Sequence, residues 1–283
     1  MEGGLRYPIL LVHGLGARDR KHLCYWGRIP ARLEAEGARI YYGDQDSHGS
    51  IESNGAALRD RAIRILEETG AEKLHVLAHS KGGLDARCMA SLPGMAPRIA
   101  SLTTVCTPHN GSVTVDRLLR LPDGLVRLVS FFCNLWFRIL GDKQPDSYRV
   151  FHQLTTSEAA AFNASHPIPS GVRCRSYAFV MSRACSDWIL WLPYQVVKAV
   201  EGENDGLVTP VSARWAEFQG PIRSSGRRGI SHCDAVDLRR RPLLRKAPPN
   251  GIADMTDFYA GLLEGMREAE SAQAEAATGH SVS

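Results

Sequence analysis

One stretch, Leu74–Gly83, limits what this chain can fold into more than any other. Its first half is a short apolar run that predicts a buried strand, and residues 84–90 behind it predict a helix. Residues 78–82, Ala-His-Ser-Lys-Gly, form a turn between the two, with small residues two positions before and after Ser80. In such a turn the serine takes a strained conformation that exposes its hydroxyl at the edge of a sheet. The stretch therefore predicts a strand, a turn and a helix, with Ser80 as candidate nucleophile.

Similar apolar runs recur along the chain and alternate with helical patterns. Predicted strands cover residues 7–12, 38–42, 73–78, 99–106 and 177–180, and predicted helices cover residues 29–36 and 54–66, the latter capped by Ser53 or Asn54. Continuous apolar strands are typical of a parallel sheet that is buried on both faces. The alternation predicts an α/β fold with a mostly parallel central sheet and helices on both of its faces.

Two segments are apolar on every side of a predicted helix. They lie at about residues 113–150 and at residues 188–197. A helix of this kind is either the core of a cap subdomain or a mobile lid over an apolar site, and the pattern leaves both open. Beside a candidate nucleophile, these segments suggest an acyl chain as substrate.

Length and composition predict one domain. The chain has 283 residues, of which 44% are hydrophobic and 23% charged. We expect a single domain over residues 1–265 that includes the insertion at about 113–150. The Ala- and Glu-rich residues 266–283 predict a frayed helix end that passes into a disordered tail.

Charge and cysteine usage exclude several classes of protein. The formal charge is only +4 and the basic residues are interspersed with acidic ones, so nucleic acid is not an expected partner. One basic cluster, Arg223–Arg228 with Arg239–Arg241, predicts a solvated loop face that an anionic lipid surface could also use. Seven cysteines without a Cys-x-x-Cys pair predict reduced thiols.

No cleaved export signal and no run of about twenty apolar residues is visible. We expect a cytoplasmic protein, or one that leaves the cell by a leaderless route. The oligomeric state stays open.

Three residues in one chain order predict nucleophilic catalysis. Ser80 is followed by Asp205 in an Asp-Gly turn and by His232 in a loop before the last predicted helix. A serine hydroxyl is a weak nucleophile until an imidazole takes its proton, and a buried carboxylate fixes the tautomer of that imidazole. The turn at residues 13–16, His-Gly-Leu-Gly, follows the first strand and predicts a loop whose backbone N–H groups face the site.

At this point the sequence resembles a known family, the bacterial family I triacylglycerol lipases of the α/β-hydrolase superfamily, with the leaderless Proteus-like branch nearest. The resemblance covers nearly the whole chain and rests on the segments YPILLVHGL at 7–15, AHSKGG at 78–83, TPHNGS at 107–112, LTT at 154–156, NDGLV at 204–208 and HCDAV at 232–236.

The resemblance implies Ser80 as nucleophile, His232 as general base and acid, and Asp205 as the carboxylate that orients the histidine. It also implies an oxyanion hole made by the backbone N–H groups of Leu15 and Lys81, and a lid in the apolar insertion.

The family's structural calcium implies Asp187 and Asp234 as candidate metal ligands. Leu238 stands where the family has an amide ligand, so the sequence favours an incomplete calcium site and no required cofactor. No disulfide is implied.

The leading hypothesis is a serine carboxylic-ester hydrolase, a triacylglycerol lipase or esterase that acts on lipid esters through an acyl-enzyme. A phospholipase A, a polyhydroxyalkanoate depolymerase or an acyltransferase could use the same three residues. The alternative of another class is a catalytically silent protein that binds a hydrophobic ligand.

Overall fold

The computed structural model describes residues 4–16, 25–224, 226–244 and 252–279. A central sheet of six strands runs in the order β2-β1-β3-β4-β5-β6, and all neighbouring strands are parallel. The strands are β1 (Ile9–Val12), β2 (Ile40–Tyr42), β3 (Leu74–His79), β4 (Ile99–Val105), β5 (Arg173–Tyr177) and β6 (Glu217–Phe218).

Nine α-helices lie in the described residues. They are α1 (Ile29–Ala35), α2 (Ile51–Thr69), α3 (Gly82–Ser91), α4 (Val113–Leu118), α5 (Asp123–Ile139), α6 (Ser147–Gln153), α7 (Thr156–Ser165), α8 (Trp191–Glu201) and α9 (Met255–Gly279). The helix α2 begins at Ile51 with Ser50 as its cap, a few residues before the predicted start, because the Ser50 side chain accepts a hydrogen bond from the Ser53 amide.

The two faces of the sheet carry separate apolar cores. Successive side chains of a strand point to opposite faces. Accordingly Ile9 and Leu11 of β1 pack with α1 and α9, whereas Leu10 and Val12 pack with α2 and α3. The predicted α/β fold with helices on both faces of a parallel sheet is confirmed.

The carboxyl ends of the central strands meet at one edge of the sheet. The loop after β1, the turn after β3 and the loop after β4 all leave from this edge. In open parallel sheets ligands bind at this edge, so the topology brings the candidate site residues of three loops together.

The fifth strand was predicted at the wrong residues. The sequence predicted residues 177–180, but the paired strand is Arg173–Tyr177, and Phe179 forms only an isolated bridge with Ile222. The prediction failed because residues 173–177 include two arginines, which are unusual in a buried strand. In the structure Arg173 forms an ion pair with Glu268 of α9, and Arg175 forms one with Glu217 of β6. Those ion pairs allow a charged alternating segment to lie in the sheet.

The carboxyl-terminal segment is a packed helix rather than a tail. The helix α9 runs through to Gly279, and Met266 and Ala269 are buried. Glu270 accepts hydrogen bonds from the Tyr7 amide and from the His75 ring. The helix therefore extends to Gly279, further than the predicted frayed end, and residues 280–283 lie outside the described residues.

Helix α5 is strongly amphipathic, and its apolar face is exposed. Phe131, Phe132, Trp136 and Ile139 are each more than half exposed, and so are Trp188 and Trp191 in the second apolar segment. No helix within the described residues is long and apolar enough to cross a bilayer. Among the described residues, the cysteines at 88, 106, 133, 174, 185 and 233 are free thiols.

Candidate active site

Ser80 sits on a strained turn between β3 and α3. Its φ angle is +55°, in the left-handed region that residues with a side chain seldom adopt. Small neighbours allow the turn: a Cβ on Gly82 would overlap the backbone oxygen of His13, and one on Gly83 would overlap the Thr107 side chain. The Ser80 amide donates to the Val105 oxygen at 2.9 Å, which anchors the turn to β4. The strand, turn and helix predicted from the sequence are confirmed.

His232 and Asp205 form a buried hydrogen-bonded pair. The distance from His232 Nδ1 to Asp205 Oδ2 is 2.8 Å. The other carboxylate oxygen of Asp205 accepts the amides of Leu207 and Val208, and the His232 amide donates to the Asp205 carbonyl at 2.8 Å. Because a carboxylate can only accept, Nδ1 carries the proton and Nε2 of His232 is left as the basic atom.

His79, the residue before Ser80, packs its buried ring against His232. Its ring centroid is 4.5 Å from that of His232, and its Nδ1 is 2.6 Å from the Tyr25 hydroxyl. Burial lowers the pKa of His79 well below the usual value, and the neighbouring His232 lowers it further, so this ring stays neutral. Sequence reasoning missed Tyr25, because no motif in the sequence marks it as a partner of His79.

Ser80 and His232 are brought to the same edge of the sheet but are not joined. Among the described residues, no hydrogen bond links the Ser80 hydroxyl to His232. Contacts of this kind are often long without substrate and tighten when substrate binds.

The loop after β1 packs directly against the serine. A Cβ on Gly14 would lie 2.6 Å from the Ser80 Cβ, so only glycine allows this approach. Neither the Leu15 amide nor the Lys81 amide donates to another group in the described part of the chain. Two such N–H groups on residues next to a candidate nucleophile are compatible with the predicted oxyanion hole, which stays a prediction.

The Lys81 side chain is buried in an ion pair. Its Nζ lies 2.6 Å from Asp85 Oδ1, and Asn54 donates to the second carboxylate oxygen at 2.8 Å. Burial raises the pKa of Asp85 to about 6, although Lys81 and Asn54 oppose the rise. The pair ties the residue after Ser80 to the first turn of α3, and the sequence prediction did not include it.

An apolar cavity opens beside Leu15. Its volume is about 430 Å³ and nearly all of its wall is carbon. The lining residues are Leu15, Val115, Leu118, Leu119, Leu121, Leu125, Val126, Val129, Phe151 and Leu154. The helices α4 and α5 of the predicted insertion therefore form most of the wall of this cavity, and Leu15, Phe151 and Leu154 complete it.

The two candidate metal ligands are bonded to arginines. Asp187 pairs with Arg239 and Asp234 pairs with Arg228 and Arg239. Burial alone would raise the pKa of Asp187, but hydrogen bonds from Ser231 and Arg239 hold it below the usual value. The predicted solvated face is therefore wrong for Arg228 and Arg239.

A second group of potential ligand atoms lies in the site itself. Ligand atoms of His79, Cys106 and His232 are within 4.8 Å of one another. Burial, followed by the nearby Asp205 charge, raises the pKa of the Cys106 thiol well above its usual value. The thiol stays protonated and His232 is committed to Asp205, so this group is a poor metal site.

A parallel sheet with a serine turn after its third strand and a buried His–Asp pair at the same edge defines the α/β hydrolases. The comparison with known proteins agrees: the family model for the alpha/beta hydrolase fold matches residues 7–196. The chain belongs to the α/β-hydrolase fold family.

Its relatives include bacterial proteins named triacylglycerol lipase, as the resemblance predicted. One from Vibrio cholerae is 31% identical over 267 residues, which cover 82% of this chain and 80% of the relative. One from Pseudarthrobacter phenanthrenivorans is 31% identical over 176 residues, 57% of this chain and 54% of the relative. The chain thus spans about half the length of that relative.

The fold is also that of solved lipases. The crystal structure of Staphylococcus hyicus lipase superposes on this chain with a TM-score of 0.69 at 15% sequence identity. The superposition covers 97% of this chain and 99% of the lipase chain. At this identity the likeness supports the fold alone.

Proposed function

We propose that the chain is a serine hydrolase of carboxylic esters whose substrates are lipid esters such as acylglycerols. One observation carries the substrate class. The cavity of about 430 Å³ is walled by carbon and includes Leu15, which directly follows Gly14, the residue packed against Ser80. An acyl chain bound there would have its carbonyl carbon next to Ser80. The names of the bacterial relatives support the same substrate class.

The reaction follows from the positions of the polar atoms. Ser80 Oγ attacks the ester carbonyl carbon, and its proton passes to Nε2 of His232. Asp205 accepts the Nδ1–H and stabilises the imidazolium while the tetrahedral intermediate exists. The amides of Leu15 and Lys81 hold the oxyanion. His232 then protonates the leaving alcohol, and water repeats the sequence to release the fatty acid and restore Ser80.

The helices α4 and α5 act as a lid in this proposal. Both helices line the cavity, and the cavity-lining Leu125 and Val129 of α5 belong to the same exposed apolar face as Phe132 and Trp136. A surface of this kind is costly in water and is covered when it meets a lipid aggregate. Movement of α5 would widen the entrance for long acyl chains.

The test is hydrolysis of p-nitrophenyl esters from acetate to palmitate by the unaltered chain and by Ser80→Ala. We expect kcat/KM to rise toward long chains and to fall at least about a thousandfold in Ser80→Ala, because the nucleophile is lost. Ser91→Ala, at the far end of α3, is the matched control and should keep full activity.

Each other outcome changes the assignment. Activity on acetate alone would leave an esterase without the lipid specificity. Transfer of the acyl group to an added alcohol in preference to water would identify an acyltransferase. No hydrolysis at any chain length, together with a Ser80 that a fluorophosphonate does not label, would leave a binding protein.

A further inference from the structure

We infer that Arg239, assisted by Arg228, takes the place of a structural metal ion and positions the loop that carries His232. This inference goes beyond the reaction and concerns how its general base is held. It rests on the proposed function only for its kinetic readout.

Arg239 bridges two buried carboxylates from different parts of the chain. Its Nη2 lies 2.8 Å from Asp187 Oδ2, and its Nε lies 3.4 Å from Asp234 Oδ1. The same Nη2 donates to the Ser186 carbonyl at 2.9 Å. Both carboxylates are almost fully buried, whereas about a fifth of the arginine side chain is exposed. One planar cation therefore joins the segment before α8 to the histidine loop.

Arg228 completes the charge balance. Its Nη2 lies 3.1 Å from Asp234 Oδ2 and also donates to the Ser186 carbonyl at 2.8 Å. Two carboxylates thus face two guanidinium groups. Buried charges are tolerated when they are paired and hydrogen-bonded in this way.

The pairs reach His232 through Ser231. The Ser231 hydroxyl donates to Asp187 at 2.7 Å, and the Ser231 amide donates to Asp234 at 3.2 Å. The Asp234 amide in turn donates to the Ser231 hydroxyl at 3.0 Å. The residue before His232 is therefore fixed by both carboxylates that the arginines hold, and a shift of either carboxylate would move the imidazole.

The same donor set does not fit a calcium ion. Calcium takes six to eight oxygen ligands at short distance. Here the oxygens of Asp187, Asp234 and Ser186 accept N–H groups from two cations, so a further divalent cation would meet repulsion and few vacant lone pairs. Leu238 adds no side-chain oxygen. The positive charge at this place comes from the chain itself.

The experiment measures the thermal unfolding midpoint of the full chain in about 1 mM calcium chloride and in an excess of chelator. We expect the same midpoint in both for the unaltered chain. Arg239→Gln should lower the midpoint by several degrees, because it leaves a buried carboxylate without its cation. Calcium should raise the midpoint of Arg239→Gln but not that of the unaltered chain, because the substitution frees carboxylate oxygens and adds an amide oxygen. Arg223→Gln, which breaks the exposed pair with Glu203, is the matched control and should behave like the unaltered chain.

Kinetics separate positioning from mere stability. At a temperature where all variants are folded, kcat of Arg239→Gln should fall about tenfold with little change in KM, and Arg239→Lys, which keeps the charge but loses the fork, should lie between. If Arg239→Gln does not fold, the Arg239→Lys variant and the calcium series on the unaltered chain decide.

A midpoint of the unaltered chain that drops in chelator would show a bound metal and overturn the inference. Equal midpoints for Arg239→Gln and Arg223→Gln would also overturn it. Neither melting result depends on catalysis, so failure of the proposed function would appear separately as an unaltered chain that is stable but inactive.

Discussion

At the scale of single residues, the site depends on strain and close approach around Ser80. A left-handed backbone at a serine costs on the order of 1–3 kcal/mol and persists only when its surroundings hold it. Two devices hold it here. The amide of Ser80 is bonded to β4, and the next residue, Lys81, buries its ammonium group against Asp85. The ion pair therefore stabilises the turn that presents Ser80.

This pair makes a prediction at the same scale. Lys81→Met should lose about 3–5 kcal/mol of unfolding free energy at pH 7, because it leaves Asp85 as a lone buried carboxylate. The double variant Lys81→Met with Asp85→Leu should recover most of the loss. Urea unfolding of the two variants and the unaltered chain measures the difference, and equal losses in the single and double variants would contradict it.

The pH dependence of the single variant provides its control. Burial already raises the pKa of Asp85 to about 6, above its unfolded value of about 4. A raised carboxyl pKa means that stability is present below about pH 4 and is lost as pH rises through the folded value. Lys81→Met removes the opposing charge, so its deficit should be larger at pH 7 than at pH 5.

The residues that sequence alone revealed are those in short local motifs. The serine turn, Asp205 and His232 each lie in a recognisable turn or loop, so their chain order was sufficient. The partnership of Arg239 with Asp187 had no such signal. The two residues lie far apart in loops, and only the fold shows that an arginine in a basic cluster faces inward.

At the scale of elements, α5 is held at its carboxyl end and exposed along its length. Asp46 accepts the amides of Lys143 and Gln144, and Asp142 accepts the amides of Ser47 and His48. This exchange ties the loop after β2 to the turn after α5. Any movement of α5 as a lid would therefore pivot about this end.

The buried position of His48 leads us to expect that acid weakens the contacts between the loop after β2 and α5. Its ring stacks on Phe137 of α5 with centroids 3.8 Å apart, and its Nδ1 lies 2.9 Å from the Ser147 hydroxyl. Burial, followed by the charge of Lys81, lowers the pKa of His48 to about 4. In the unfolded chain the pKa of a histidine is about 6.5, so below that pH the unfolded chain binds a proton that the folded chain does not bind. The free energy of unfolding therefore falls between pH 6.5 and pH 4, by up to about 3 kcal/mol.

The measurement is the unfolding midpoint of the unaltered chain and of His48→Gln between pH 7.5 and 4.5. The variant should lose less stability on acidification, because it removes the group that resists protonation. His152→Gln, which alters a less buried histidine of α6, is the control and should keep the original slope. A slope in His48→Gln as steep as that of the unaltered chain would rule out this role.

Elements were predictable where burial leaves a periodic pattern. The strands β1, β3 and β4 are fully buried because helices cover both faces, so they are short runs rich in apolar residues that can be recognised from sequence. The strand β5 alternates charged residues and resembled a loop, and the Ala- and Glu-rich end of α9 resembled a frayed helix end and tail. Their partners across the fold determine their structure.

At the scale of the whole molecule, α9 joins the first strand to the middle of the sheet. Glu270 accepts the Tyr7 amide at 2.9 Å and lies 3.0 Å from the His75 ring, which is fully buried in β3. Gln273 donates to the Ala100 carbonyl of β4 at 3.0 Å. A single helix thus contacts three central strands whose opposite ends form the active site.

Truncation tests whether the fold needs this helix beyond residue 265. A chain ending at residue 265 loses the buried Met266 and Ala269 and leaves His75 without its carboxylate, so it should lose about 3 kcal/mol or more of unfolding free energy. A chain ending at residue 275 keeps all of these contacts and serves as the control. Urea unfolding of both chains measures the loss. Because Ser80 directly follows β3, the shorter chain should also inactivate at a lower temperature than the control. Equal stability of the two would mean that the first 265 residues fold independently of the rest of α9.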